Sequence, residues 1–306
     1  MKVLVTGGCG YIGSRLIREL PYSTPYVSEV IIYDNLVTER YCSLFNLPQG
    51  TGVHYKFYKG DIRDADKLRW LLAGVDTTVH LAGMTHAELS FERSQEYWDV
   101  NYHGTQTVAE CCAAAGSSLV YVSTAGVYGS GMGDEASTDL HPTSPYAEAK
   151  LAGEKSALDV GGTVLRLGTI YGPSPGMRFH TVVNKFVYSA AIGVPLQVWE
   201  GAEEQTRPYL DLKDCVNAIL FSLLNPFTTG GAVFNVVTEN EKLMAVISEI
   251  QKHRPDVDIV RTPSLIQASY GADPGRLLSK GFRYEGNMAQ GIADTFALFE
   301  GFVNPK

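Results

Sequence analysis

Short runs of β-branched and apolar residues alternate with amphipathic stretches through the first half of the chain. Val3-Leu4-Val5-Thr6, Glu29 to Tyr33, His54 to Tyr58, Thr77 to Leu81, Ser118 to Val122 and Thr163 to Leu167 read as strands. Ile12 to Leu20, Asp64 to Leu72, Trp98 to Ala115 and Ala147 to Leu158 carry helical periodicity. Strands alternating with helices predict a parallel sheet with right-handed crossovers. The strand runs are almost continuously apolar, as required when helices cover both faces. After Tyr171-Gly172-Pro173 the pattern loosens into loops rich in Gly, Pro and Glu, followed by a strand at Ala232 to Val236 and a helix over Glu241 to Lys252.

The expected class is therefore α/β: a Rossmann-type, doubly wound parallel sheet with a smaller, interleaved C-terminal substrate domain. The boundaries that follow are 1–172 plus about 208–238 for the sheet domain, and about 173–207 plus 239–306 for the smaller one. A length of 306 residues suits such a pair. Composition narrows the partners. With 33 acidic and 25 basic residues, a net charge of −8 and no Lys/Arg run, a nucleic acid partner is not expected. No apolar run approaches the ~20 residues of a membrane span, and MKVLVTGGCGYIG has too short an apolar core for a signal peptide. Five cysteines without zinc spacing suggest reduced thiols, a cytoplasmic setting and no metal site.

The first strand runs straight into Gly7-Gly8-Cys9-Gly10-Tyr11-Ile12-Gly13, and a helix follows. Glycines at 7, 10 and 13 let backbone approach a pyrophosphate, which the helix N-terminus then favours through its free N–H groups and dipole. The second strand ends in Asp34-Asn35, with Asp34 about 20 positions beyond Gly13, where an acid accepts hydrogen bonds from the adenosine ribose. A carboxylate there repels a 2′-phosphate, so the cofactor expected is NAD rather than NADP.

Tyr146 and Lys150 stand four residues apart on a predicted helix and so share a face. An ammonium near a phenol favours the phenolate, which suits Tyr146 as a general base. Thr124 closes the strand that starts near Ser118, at the carboxyl edge where ligands of open parallel sheets bind. Its hydroxyl is placed to align a substrate oxygen with Tyr146. An ordinary strand-end hydrogen bond to backbone is the alternative role.

These motifs, with KGDIRD at 59–64, HLAG at 80–83, STAGVYG at 123–129, SPYAEAK at 144–150, RLGTIYGP at 166–173 and RPYLDLKD at 207–214, occur along nearly the whole chain. In this order they resemble the extended short-chain dehydrogenase/reductases, specifically the NAD-dependent nucleotide-sugar epimerase/dehydratase family. The resemblance implies that Asp61 and Ile62 flank the adenine and that Leu81, Ala82 and Gly83 line the far side of the cofactor. It also implies that Asn101 supports the active-site region and that Lys150 holds the nicotinamide ribose. Thr85, Thr169, Arg178, Asn184 and Arg207 become the candidates for binding a nucleotide-diphosphate sugar. A homodimer through the Trp98–Ala115 region and the helix starting at Tyr146 is implied as well.

The chain departs from the family pattern in places. Dehydratases of this group carry Asp-Glu directly after the catalytic Thr, to protonate the departing C6 hydroxyl and to take a proton from C5. Here Ala125 and Gly126 stand there. Thr169 replaces an Asn that contacts diphosphate in many epimerases. The expected activity is C4 epimerisation through a transient 4-keto sugar. The alternatives are a nucleotide-sugar 4-ketoreductase, a dehydratase or decarboxylase on the same scaffold, and a non-catalytic NAD-binding module.

Overall fold

The computed structural model describes residues 1–263 and 269–301. Seven strands form one parallel sheet in the order Val233–Val236, Thr163–Leu167, Ser118–Thr124, Thr77–His80, Lys2–Thr6, Glu29–Asp34, His54–Lys59. The chain builds outward from Lys2–Thr6 to the His54–Lys59 edge. It then crosses back to lay Thr77–His80 on the other side of the first strand. That reversal opens a crevice at the carboxyl ends of Lys2–Thr6 and Thr77–His80, the place where doubly wound sheets take ligands.

Alternation along the strands assigns residues to two cores. Val3, Val5, Val30, Ile32, Val120 and Leu165 pack with Leu16, Ile17 and Leu20 of helix Tyr11–Ser23 and with Val216, Ile219 and Leu223 of helix Leu212–Leu224. Leu4, Ile31, Leu119, Tyr121 and Val164 face the other way, onto Leu68 and Leu71 of helix Ala65–Leu71 and Val108 and Cys112 of helix Gly104–Ala115. Burying each such aliphatic side chain contributes about 1.5–3 kcal/mol, which makes this sheet a rigid platform.

A third core joins helices Val182–Ala191, Leu243–His253 and Met288–Ala297 through Phe186, Val187, Val246, Ile247 and Ile292. Beside it a three-stranded sheet runs Glu239–Lys242, Thr206–Asp211, Thr169–Tyr171. This architecture is the Rossmann-type doubly wound sheet with a smaller unit interleaved toward the C-terminus. Residues 264–268 and 302–306 of the expected smaller domain lie outside the described residues. No helix among the described residues is long and apolar enough to cross a membrane.

Two elements differ from their periodicity. The expected helix over Trp98 to Ala115 is three pieces: an α-helix at Ser94–Trp98, a π-helical turn at Asp99–His103 and an α-helix at Gly104–Ala115. The wide turn carries Asn101, whose amide accepts from Met84 N–H and donates to Met84 C=O, both at 2.8 Å. Glu241 and Lys242, expected in a helix, end a strand antiparallel to Thr206–Tyr209, and the helix starts at Leu243. In both cases a distant partner overrides the local period.

Candidate active site and cofactor cradle

Gly7 turns the chain out of the first strand with φ +68°, and a Cβ there would fall 2.6 Å from Ala82 N. A Cβ on Gly13 would lie 2.5 Å from Gly7 O. Helix Tyr11–Ser23 starts at Gly10 with no side-chain cap, so its first N–H groups are offered to a ligand. Asp34 Oδ2 accepts from Cys9 N–H at 3.0 Å and Oδ1 from Leu36 N–H at 2.8 Å, which locks the acid beside the turn. Asn35 is exposed next to it and accepts from Val37 N–H. Backbone without room for side chains, an uncapped helix start and an adjacent carboxylate fit a dinucleotide.

The walls of the crevice follow. Leu81 N–H donates to Thr6 C=O and Ala82 N–H to Thr6 Oγ1, so this loop leaves the sheet pinned to the first strand. Asn101 fixes Met84 and leaves Gly83 no space for a Cβ, which would lie 2.8 Å from Asn101 Oδ1. Asn101 therefore works by holding the loop that carries Gly83 and Thr85. Ile62 is buried beneath Gly104, and Asp61 is engaged by Arg63 through Nε and Nη2 at 2.8 Å each.

Helix Pro145–Asp159 is set by Ser144, whose Oγ accepts from Ala147 N–H at 3.2 Å, and by Pro145 in the first turn. It presents Tyr146, Lys150 and Glu154 along one face. Tyr146 is half-buried and edge-on to Tyr97, and the Thr124 hydroxyl acts on its phenol. Thr124 Oγ1 accepts from Gly126 N–H at 3.1 Å, the strand-end backbone role considered for it. Lys150 is buried, with Nζ 4.3 Å from the Tyr121 ring centroid.

Burial works against the charged forms of both members of the Tyr/Lys pair. Burial holds the Tyr146 phenol above its ordinary value, and the groups pulling it down are Arg178 and the Thr124 hydrogen bond. Burial pushes Lys150 down to about 7, against the opposing pull of Glu154. Helix and sheet bury the Lys150 ammonium, and Glu154 favours its charged form.

Glu154 was not singled out in the sequence. It is buried, accepts from Ser123 Oγ at 2.5 Å and pairs with Arg166 through Nε and Nη2, the latter at 2.7 Å. Arg166 Nη1 continues to Tyr128 Oη, which donates to Asn235 Oδ1 at 2.8 Å. Two signals were available: Glu154 stands one turn beyond Lys150, and Arg166 is a charge inside an apolar strand. His80 is a second such case. It is buried between Thr6 and Thr105, and burial with Lys150 nearby holds it down to about 3, hence neutral.

The candidate substrate residues divide. Arg178 donates to Thr85 Oγ1 and lies with its guanidinium 5.9 Å from the Tyr11 ring centroid. Asn184 is fully buried and its amide is used internally, donating to Tyr11 Oη at 2.9 Å and to Arg178 C=O at 3.2 Å. Thr169 opens the strand Thr169–Tyr171 beside Tyr209. Arg207, on the next strand, donates to Thr206 C=O and Gln205 Oε1, with its guanidinium 5.0 Å from the Tyr270 ring centroid.

Residues 3–236 match the model of the NAD dependent epimerase/dehydratase family. The chain belongs to this family. A trifunctional UDP-glucose 4,6-dehydratase/3,5-epimerase/reductase of Arabidopsis thaliana is 29% identical over 97% of this chain and 47% of its own length, so the chain spans about half of that relative. The crystal structure of DesIV, a dTDP-glucose 4,6-dehydratase of Streptomyces venezuelae with NAD and TYD bound, is 26% identical with TM-score 0.86, covering 99% of this chain and 98% of the other. The UDP-glucose 4-epimerase of Thermus thermophilus, complexed with NAD, is 26% identical with TM-score 0.81, covering 99% and 100%. NAD is the cofactor of this epimerase/dehydratase family, and the glycine turn with Asp34 fits it.

Proposed function

We propose that the protein is an NAD-dependent nucleotide-sugar 4-epimerase. The observation that carries this reading is the turn that follows Thr124. Ala125 is buried and Gly126 offers only its N–H, which Thr124 Oγ1 accepts. Neither position holds a group that protonates a leaving C6 hydroxyl or removes a C5 proton. A 4,6-elimination lacks its acid and base there, whereas C4 chemistry needs only the Thr124–Tyr146 pair.

In this reading Thr124 aligns the C4 hydroxyl and Tyr146, as phenolate, takes its proton at Oη. NAD, when bound to the glycine turn and Asp34, supplies the acceptor and then the donor of the C4 hydride. Arg207 and Thr169 anchor the diphosphate while the 4-keto sugar presents its other face. Remote binding energy is thereby used to hold the nucleotide through the rotation. Tyr146 then returns the proton. Two copies associate through helices Gly104–Ala115 and Pro145–Asp159, a state that a one-chain mass in sedimentation rejects.

The test is incubation with a panel of UDP-, dTDP-, GDP- and CDP-sugars, with products read by NMR. The expected product is inverted at C4 with no net change in cofactor. A 4-keto-6-deoxy product, or net consumption of reduced cofactor, overturns the reading. Tyr146→Phe removes the base and lowers turnover about 10³-fold while NAD stays bound.

A further inference from the structure

Tyr121 touches Lys150 at both ends. Its hydroxyl donates to Lys150 C=O at 3.2 Å, and the Lys150 ammonium nitrogen stands 4.3 Å from the centroid of its ring. Tyr121 lies on strand Ser118–Thr124 and is fully buried. Gly153, on helix Pro145–Asp159, makes the approach possible: a Cβ there would fall 2.6 Å from Tyr121 Oη. The imidazole of His80 stacks on the Tyr121 ring, with centroids 5.6 Å apart and planes at 27°. His80 is fixed in turn by Thr6 Oγ1 at 2.6 Å and Thr105 Oγ1 at 3.0 Å.

The ammonium has little other support. Burial disfavours its charged form. Glu154, one turn along the helix, favours that form but directs its carboxylate to Arg166 and Ser123. Among the described residues Lys150 makes no ion pair. The titratable groups packed about it are Tyr121 and His80 on the strands, and Tyr146 and Glu154 on its own helix. His80 is held neutral, so it adds no competing positive charge. The face of an aromatic ring attracts a cation, and most strongly where water is excluded.

We propose that Tyr121 is a positioning residue whose ring keeps the Lys150 ammonium charged and in place. Its hydroxyl ties the ring to the helix turn from which the Lys150 side chain extends. Tyr121 acts through Lys150 and not on the sugar. The two residues are 29 positions apart in sequence, so the fold alone makes the pair. The role rests on the 4-epimerase reading, in which a cationic Lys150 favours the phenolate of Tyr146.

NMR of protein labelled at the lysine ε-carbon tests it, with the Lys150 signal assigned as the one missing from Lys150→Met and followed through a pH series. Tyr121→Phe keeps the ring and should keep the wild-type midpoint. Ring fluorines on that Phe withdraw π density at nearly constant shape and should lower the midpoint stepwise. Three fluorines, or Tyr121→Leu, should lower it by about one pH unit, a tenfold loss in the charged-to-neutral ratio. A midpoint that ignores fluorination, or one that falls as far in Tyr121→Phe as in Tyr121→Leu, overturns the proposal. If Tyr121→Leu does not fold, the fluorinated series decides. With a sugar that the protein inverts, the alkaline limb of kcat should move down with the midpoint, and a limb that stays put overturns the link to catalysis. A falling midpoint without C4 inversion of any sugar overturns only the epimerase reading. Inversion with an invariant midpoint overturns only the role of Tyr121.

Discussion

Gly176 rests on Gly10. A Cβ on Gly176 would lie 2.5 Å from Gly10 O and 2.8 Å from Cys9 O, so the loop after Tyr171 packs backbone to backbone on the cofactor turn. Ser14 Oγ, Ser174 and Tyr11 C=O close the contact with hydrogen bonds of 2.9 to 3.2 Å. Substrate-side and cofactor-side elements thus share one joint. Gly176→Ala should push the loop from the turn and release NAD about 10-fold faster, read by fluorescence after dilution. An unchanged release rate removes this joint from cofactor retention.

The Glu154–Arg166 pair is buried on both sides, with side-chain exposures of 3% and 4%. Glu154→Gln leaves a guanidinium without its carboxylate and should cost about 3–5 kcal/mol in denaturant unfolding. The double change Glu154→Met with Arg166→Met should cost clearly less, because no charge is stranded. A double variant no more stable than the single one contradicts the buried-charge account.

Burial holds Asp211 up to about 6 from 3.8, with Asp214 and Asp294 adding to the shift. A folded-state value above the unfolded one contributes stability below pH 3.8, and that contribution is lost as pH rises through 6. Asp211→Asn should therefore stabilise the protein by about 2 kcal/mol at pH 7. It keeps the oxygen that accepts Lys213 N–H at 2.8 Å. The gain should vanish below about pH 4 in urea titrations at a series of pH values.

His80 has the opposite sign. Its value drops from 6.5 to about 3, so its contribution is full above pH 6.5 and is lost as pH falls through 3. The wild type should lose stability relative to His80→Gln over that window, and the difference should stay constant above it. Parallel curves down to pH 3 would show that the buried imidazole is not what titrates.

Much of the fold, and the candidate site motifs, are local properties of the chain. The seven strands, the glycine turn, Asp34 and the Tyr146/Lys150 pair were legible because each depends on a period of two or 3.6 or on a short spacing. The carboxyl-edge position of Thr124 follows from the same pattern. The tertiary structure decided the rest. It brought Arg178 to Thr85 and Tyr11, turned Asn184 inward onto Tyr11 Oη, set a π-turn at Asn101 to hold Met84, and put Glu154 against Arg166. It also set the shift of Lys150, since spacing says which groups are neighbours but only burial says which form it disfavours. Periodicity is written residue by residue, whereas desolvation and long-range pairing depend on which distant segments the folded chain brings together.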